Sequence, residues 1–355
     1  MLIRLGKSKL FKMTEKLADS KRRLSNIELL RIVSMVMVVG VHFDGASLGL
    51  PDLHGRLEAL DSRSTWCLVV EALTIIGVNC FTLISGYFGI RLRLKSAVSY
   101  LFQCIFYAVL VYTIVGCLRP GPFNWKGWWD SWLVLTHTDL WYVPAYFGLM
   151  LLAPFLNAGF EKLSRKQGFI VTLVFLLYNV WAGWWWKGNF NPTGYTLIQL
   201  ILMYMIGRVI SSYSEEIKKL PKTASLIVGI FLYFGISELI MLDAVFDLPR
   251  AYAYNSPLVM ASSVVMLLIF LKMEFQSKVV NYIAKSAFAV YLIHKAPLVW
   301  VGYMKPFVLF CWRKFTLFEF TMVGVALIIG VFLLAMIFDF VRRKFFNVVI
   351  SPLFK

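Results

Sequence analysis

Ten times along this 355-residue chain the sequence returns to a run of about twenty mostly apolar residues, the length a helix needs to cross the hydrocarbon core of a bilayer. The runs fall at roughly 27–45, 66–90, 97–118, 141–158, 168–184, 195–212, 223–242, 256–272, 286–304 and 316–340. In hydrocarbon every backbone amide must find its partner inside the protein, so runs of this length fold as helices. Short charged or Pro/Gly/Asn-rich loops separate them, such as LRPGPFNWKG at 118–127, and no loop is long enough to hold a soluble domain. The expected fold class is all-α: a polytopic integral membrane protein of about ten transmembrane helices. It divides into a basic N-terminal segment (1–25), a membrane domain (26–341) and a basic tail (342–355).

Composition agrees. Hydrophobic residues are 59% of the chain, against roughly 45–50% in soluble domains. Mean hydropathy is +0.72, and the apolar excess must face lipid. Residues 1–25 are basic and lack the apolar core of a secretory signal, so the first span is expected to act as an uncleaved insertion signal. The five cysteines form no C-x-x-C pair; a disulfide framework or metal site is not expected, and they read as small packing residues.

The net charge of +17 follows topology. Counted by alternate loops, one side of the membrane carries 25 Lys and Arg and the other 9, with Arg31 and Lys295 inside spans. The basic side is cytoplasmic. Both termini are then cytoplasmic in a multi-pass protein of the cell (plasma or inner) membrane. The charge serves orientation and attraction to anionic lipid rather than nucleic acid.

Polar residues inside spans carry the functional argument. In NIELLRIVSMVMVVGVHF (26–43), eleven steps separate Arg31 from His42, which brings both to one helix face about 16 Å apart. Glu28 stands at the i, i+3 spacing that permits an ion pair with Arg31. Arginine in a span is costly and tends to line a cavity or pathway. The second span ends in CFTLISGYFGIRLRLK (80–95), where Arg91, Arg93 and Lys95 form a cluster suited to phosphates. Trp141 and Tyr142 open the apolar run at 141–158, and His137 and Asp139 lie in the preceding outer loop. His294 and Lys295 stand in tandem in the ninth span, which suggests a polar cavity, and Glu71 and Glu238 are further intramembrane acids. Asp44, two residues beyond His42, could orient it only if the helix ends there.

These residues resemble the membrane-bound acyltransferase-3 family. An arginine, ten residues and a histidine in the first span look like its signature, and FTLISGYFG followed by basic residues is similar to its second-span motif. LWYVPAYFGLMLLAPFLN and SAFAVYLIH are similar to later motifs, so the resemblance runs from about residue 24 to 340. One departure is the run Arg91-Leu-Arg93-Leu-Lys95, where the family often has two arginines separated by two residues.

The resemblance implies transfer of an acyl group, commonly acetyl, from acyl-CoA to a hydroxyl of a cell-surface glycan or lipid-linked sugar. It implies His42 and Arg31 as the catalytic pair. The expected donor contacts are Arg31, Arg91, Arg93 and Lys95. The expected substrate contacts are Arg91, Arg93, Trp141, Tyr142, Glu238 and His294. Acetyl-CoA would be a substrate, with no permanently bound cofactor. The competing class is a transporter or flippase for a lipid-linked or anionic solute, against which stands the absence of an internal repeat.

Overall fold

Helices make up all the regular secondary structure among the described residues of the computed structural model, which are 23–51, 53, 56, 58, 60–186, 189–246, 248 and 250–354. Most of the expected basic segment 1–25 lies outside them. In chain order the main helices are α1 (Ser25–Phe43), α2 (Ser62–Thr74), α3 (Gly77–Phe88), α4 (Leu94–Leu118), α5 (Tyr142–Lys162) and α6 (Arg165–Tyr178). There follow α7 (Leu197–Ser212), α8 (Lys222–Val245), α9 (Pro257–Lys272), α10 (Ala287–His294), α11 (Lys305–Lys314) and α12 (Leu317–Phe345). Each apolar run of the sequence finds a helix.

Seven helical stretches are long and apolar enough to cross a bilayer. One of them, Ser62–Phe88, joins α2 to α3. An eighth is broken: Lys278–His294 and Pro297–Lys314 meet at a bend of 62°. The expected ninth span therefore turns just after His294, and helix continues through 305–314, where the sequence suggested a loop.

The two remaining apolar helices, α7 and α9, have 16 residues each. At 1.5 Å per residue that is about 24 Å, short of a ~30 Å hydrocarbon core. Their position accounts for it. Leu200, Leu202, Met203 and Tyr204 of α7 are fully buried, whereas α8 and α12 turn Phe231 and Phe318 outward. A helix shielded from lipid by its neighbours need not match the bilayer's thickness.

α7 packs chiefly against α3, and glycines set the approach. A Cβ at Gly86 would overlap the backbone carbonyl of Tyr204, and one at Gly207 would overlap the Leu83 carbonyl. Small residues let helix backbones close where lipid offers no hydrophobic drive for association. This is the physical content of Gly86 in the second-span motif.

Two buried polar networks fix the surroundings of the central cavity. Asn79 Nδ2 and Gln199 Nε2 both donate to the Tyr254 carbonyl, at 2.9 and 2.8 Å. Asn191 donates to Asn179 Oδ1 at 2.7 Å, which ties the loop after α6 to the same cluster. Near the opposite end, fully buried Asp339 on α12 accepts from Tyr107 Oη (3.2 Å), Ser286 Oγ (3.1 Å) and Arg342 Nε (2.6 Å). Arg343 Nε lies 3.3 Å away. Asp339 thereby joins α4 and α12 to the segment that starts α10.

Candidate active site

The face shared by Arg31 and His42 looks into a cavity of about 300 Å³, and both side chains line it. α1 forms one wall, with Met35 and Val38 on the stripe between the two. α3 contributes Phe81 and Ser85, α5 contributes Tyr142 and Tyr146 with Trp141 at its N-cap, and α10 contributes Phe288 and Tyr291. Aromatic rings pack around it: Tyr142 stacks on Tyr146 at 5.4 Å and meets Tyr291 edge-on at 6.2 Å. The result is an apolar tube with polar ends, the mixture of apolar wall and few placed polar groups usual in small-molecule sites.

At the end nearer the N-terminus, Glu28 is buried and accepts from two guanidinium groups, Arg31 Nη1 at 2.9 Å and Arg23 Nη1 at 3.2 Å. The i, i+3 ion pair read from the sequence is thus present, and it holds Arg31 at the cavity wall. Lys285, in the 3₁₀ turn Ala284–Ser286, lines the same cavity. Arg23 and Lys285 were not singled out on sequence. Their only signal was that Lys285 directly precedes SAFAVYLIH.

At the other end, His42 Nδ1 lies 2.9 Å from His294 Nε2, across 252 residues of chain. His294 is fully buried, and its Nδ1 lies 2.6 Å from the Val290 carbonyl oxygen. A carbonyl only accepts, so His294 Nδ1 carries the proton. In the neutral ring its Nε2 then holds a lone pair and accepts from His42 Nδ1–H. His42 Nε2 is left with the lone pair, on a ring that lines the cavity. The chain of bonds fixes the tautomer of the candidate base, as the second partner of a histidine generally does.

Replacing His294 with alanine frees that choice. We expect kcat to fall by about 10²-fold, less than the ~10⁴ that a wrong tautomer costs a serine protease. KM should change little, and the pH–rate profile should shift, which separates orientation from folding.

α1 does end at Phe43, but Asp44 does not orient His42; His294 does. Asp44 is fully buried, and neither of its carboxylate oxygens has a hydrogen-bond partner among the described residues. Glu71 approaches from α2 to fill the space beside Gly45, where a Cβ would meet its Oε2 at 2.7 Å.

Other expected contacts do not line this cavity, although Lys95 lines a neighbouring one that shares Tyr100 and Tyr146 with it. Arg91, Arg93 and Lys95 are exposed and line no part of it. α3 stops at Gly89, whose φ of +73° turns the chain outward into the extended run before α4. Lys95 donates to Ser351 Oγ at 2.6 Å instead. Glu238 is exposed on α8, outside the cavity. His137 and Asp139 are exposed, and His137 lines a second cavity of about 180 Å³ with Asp130 and Ser131. Trp141, Tyr142 and His294, in contrast, are all brought to the arginine–histidine wall or the histidine itself.

Cations thus stand at one end of the cavity and a tautomer-fixed imidazole at the other. The acyltransferase domain of the acyltransferase-3 family matches residues 24–340, nearly the whole chain. The chain belongs to that family, and it is a multi-pass membrane acyltransferase. No curated protein and no solved structure was found to match it.

Proposed function

We propose that the protein transfers an acyl group, acetyl in the first instance, from acyl-CoA at the cytoplasmic face to a hydroxyl of a surface glycan or lipid-linked sugar presented from the outer face. The observation that carries this reading is the common wall of Arg31 and His42 in one cavity, with the lone pair of His42 Nε2 unengaged by the histidine pair.

The donor enters where Arg23, Arg31 and Lys285 gather, and its phosphates meet these cations. The pantetheine arm runs along the aromatic tube, over the three turns of α1 that separate the charges from the imidazole. The acceptor oxygen attacks the thioester carbonyl while His42 Nε2 takes its proton. The C–S bond then breaks, and the leaving thiolate recovers that proton from His42 as free CoA. During the step the imidazolium keeps its Nδ1–H bonded to His294, so charge develops against a fixed acceptor rather than in bare hydrocarbon.

Purified protein in lipid nanodiscs, given acetyl-CoA labelled in the acetyl group, should move label to a glycan fraction of its host's envelope. Vectorial movement of a solute without label transfer would instead favour transport. Within this scheme Lys285→Ala is expected to raise KM for acetyl-CoA about tenfold, ~1.4 kcal/mol of binding. Arg91→Ala combined with Arg93→Ala should have a smaller effect, because those side chains lie outside the cavity. Equal effects would return the donor site to the second-span cluster.

A further inference from the structure

The broken span supplies a charge that the transfer chemistry above leaves idle. Lys295 is the elbow: α10 ends at His294, and helix resumes at Pro297 on the far side of the 62° bend. The Lys295 ammonium lies over the Trp300 indole, 4.0 Å from the ring centroid. The same indole meets the His42 imidazole edge-on, with centroids 5.4 Å apart. One aromatic ring therefore bridges the cation and the candidate base.

Lys295 is half-buried, lines neither cavity described above and reaches His42 only through Trp300, and no carboxylate stands within ion-pair distance of it among the described residues. Lys305 at the start of α11 and Asp139 in the loop before α5, of opposite sign, are charged neighbours of it, and neither forms an ion pair with it. A lysine ordinarily extends its stem until the ammonium meets bulk water. Here it is laid on an indole face, which attracts a cation without neutralising it. The donor's phosphates have their own cations at the other end of α1, about 16 Å away.

Resting on the acyl-transfer reading above, we propose that Lys295 is a specificity residue for the acceptor. It binds an anionic group, carboxylate or phosphate, carried near the hydroxyl that His42 deprotonates. The ammonium and imidazole are separated by no more than the two ring distances added together, about the width of a substituted hexose. The anion can belong to the sugar itself, as in a uronic acid, or to the phosphodiester that links a sugar to its lipid carrier.

Three acceptor probes with labelled acetyl-CoA and the full-length protein in nanodiscs test this: p-nitrophenyl glucuronide, p-nitrophenyl glucoside and farnesyl glucosyl phosphate. Wild-type kcat/KM should favour at least one anionic probe over the glucoside by about tenfold. A preference for the glucuronide alone identifies a carboxylate, and one for the phosphodiester alone a lipid-linked sugar. Lys295→Gln should remove the preference through KM for the anionic probe, and Lys295→Glu should reverse it. Equal use of anionic and neutral probes by the wild type overturns the proposal, as does an equal loss on all probes in Lys295→Gln. If the wild type consumes no acetyl-CoA, even by hydrolysis, the acyl-CoA reading falls as well; consumption without anionic preference sinks only the role of Lys295.

Discussion

Replacing His42 with alanine is expected to lower acyl transfer by about 10²–10⁴-fold, the usual contribution of a positioned general base. The protein should remain inserted, since alanine suits the last turn of α1 and the imidazole borders a cavity rather than filling the core. Alanine has one side effect. It leaves buried His294 Nε2 without a donor, at a cost of about 1–3 kcal/mol. His42→Asn separates the two consequences, because the amide can still donate toward His294 yet cannot take a proton. Both variants should lose the rate, and only the alanine variant should lose stability. Initial rates with labelled acetyl-CoA, read beside thermal unfolding of the purified protein, check this. Full activity in His42→Asn would remove His42 from the chemistry.

The second large effect concerns the frame. Asp339→Leu removes the acceptor shared by Tyr107, Ser286 and Arg342, and leaves Arg342 buried without its partner. Removing one member of a buried pair costs about 3–5 kcal/mol, so the variant should unfold at a clearly lower temperature or fail to accumulate. Adding Arg342→Met should recover only the part of the loss due to the unpaired Arg342, because Tyr107, Ser286 and Arg343 still lack their acceptor. An Asp339→Leu variant that unfolds at the wild-type temperature would make the network an incidental contact rather than the joint between α12 and the helix that carries His294.

What could be read from the sequence follows from how far each interaction reaches along the chain. Arg31, Glu28 and His42 share one helix, and helical periodicity alone set them on one face. Trp141 and Tyr142 were placed by the start of an apolar run. His294 was visible as an ionisable residue in a span, but its bond to His42 closes 252 residues of chain, and no local pattern encodes that. The break at Lys295 was hidden because residues on both sides remain apolar. Arg91 and Arg93 read as phosphate contacts because they cluster after the second span, yet the helix ends before them at Gly89 and neither side chain lines the cavity. Glu238 shows the opposite limit: hydropathy located its helix but not which side of that helix faces the bundle. The short spans α7 and α9 were legible as apolar runs, while their interior position depends on the close approach of α7 to α3 at Gly86 and Gly207, and on burial that only the assembled bundle defines.

The most direct measurement is a structure of the protein with acetonyl-CoA, in which a ketone replaces the thioester and cannot be cleaved. The phosphates should lie against Arg31 and Lys285, and the ketone should lie within hydrogen-bond reach of the atoms beside His42 Nε2. An analogue seated at Arg91, Arg93 and Lys95, with its arm outside the cavity and no path to His42, would contradict the account.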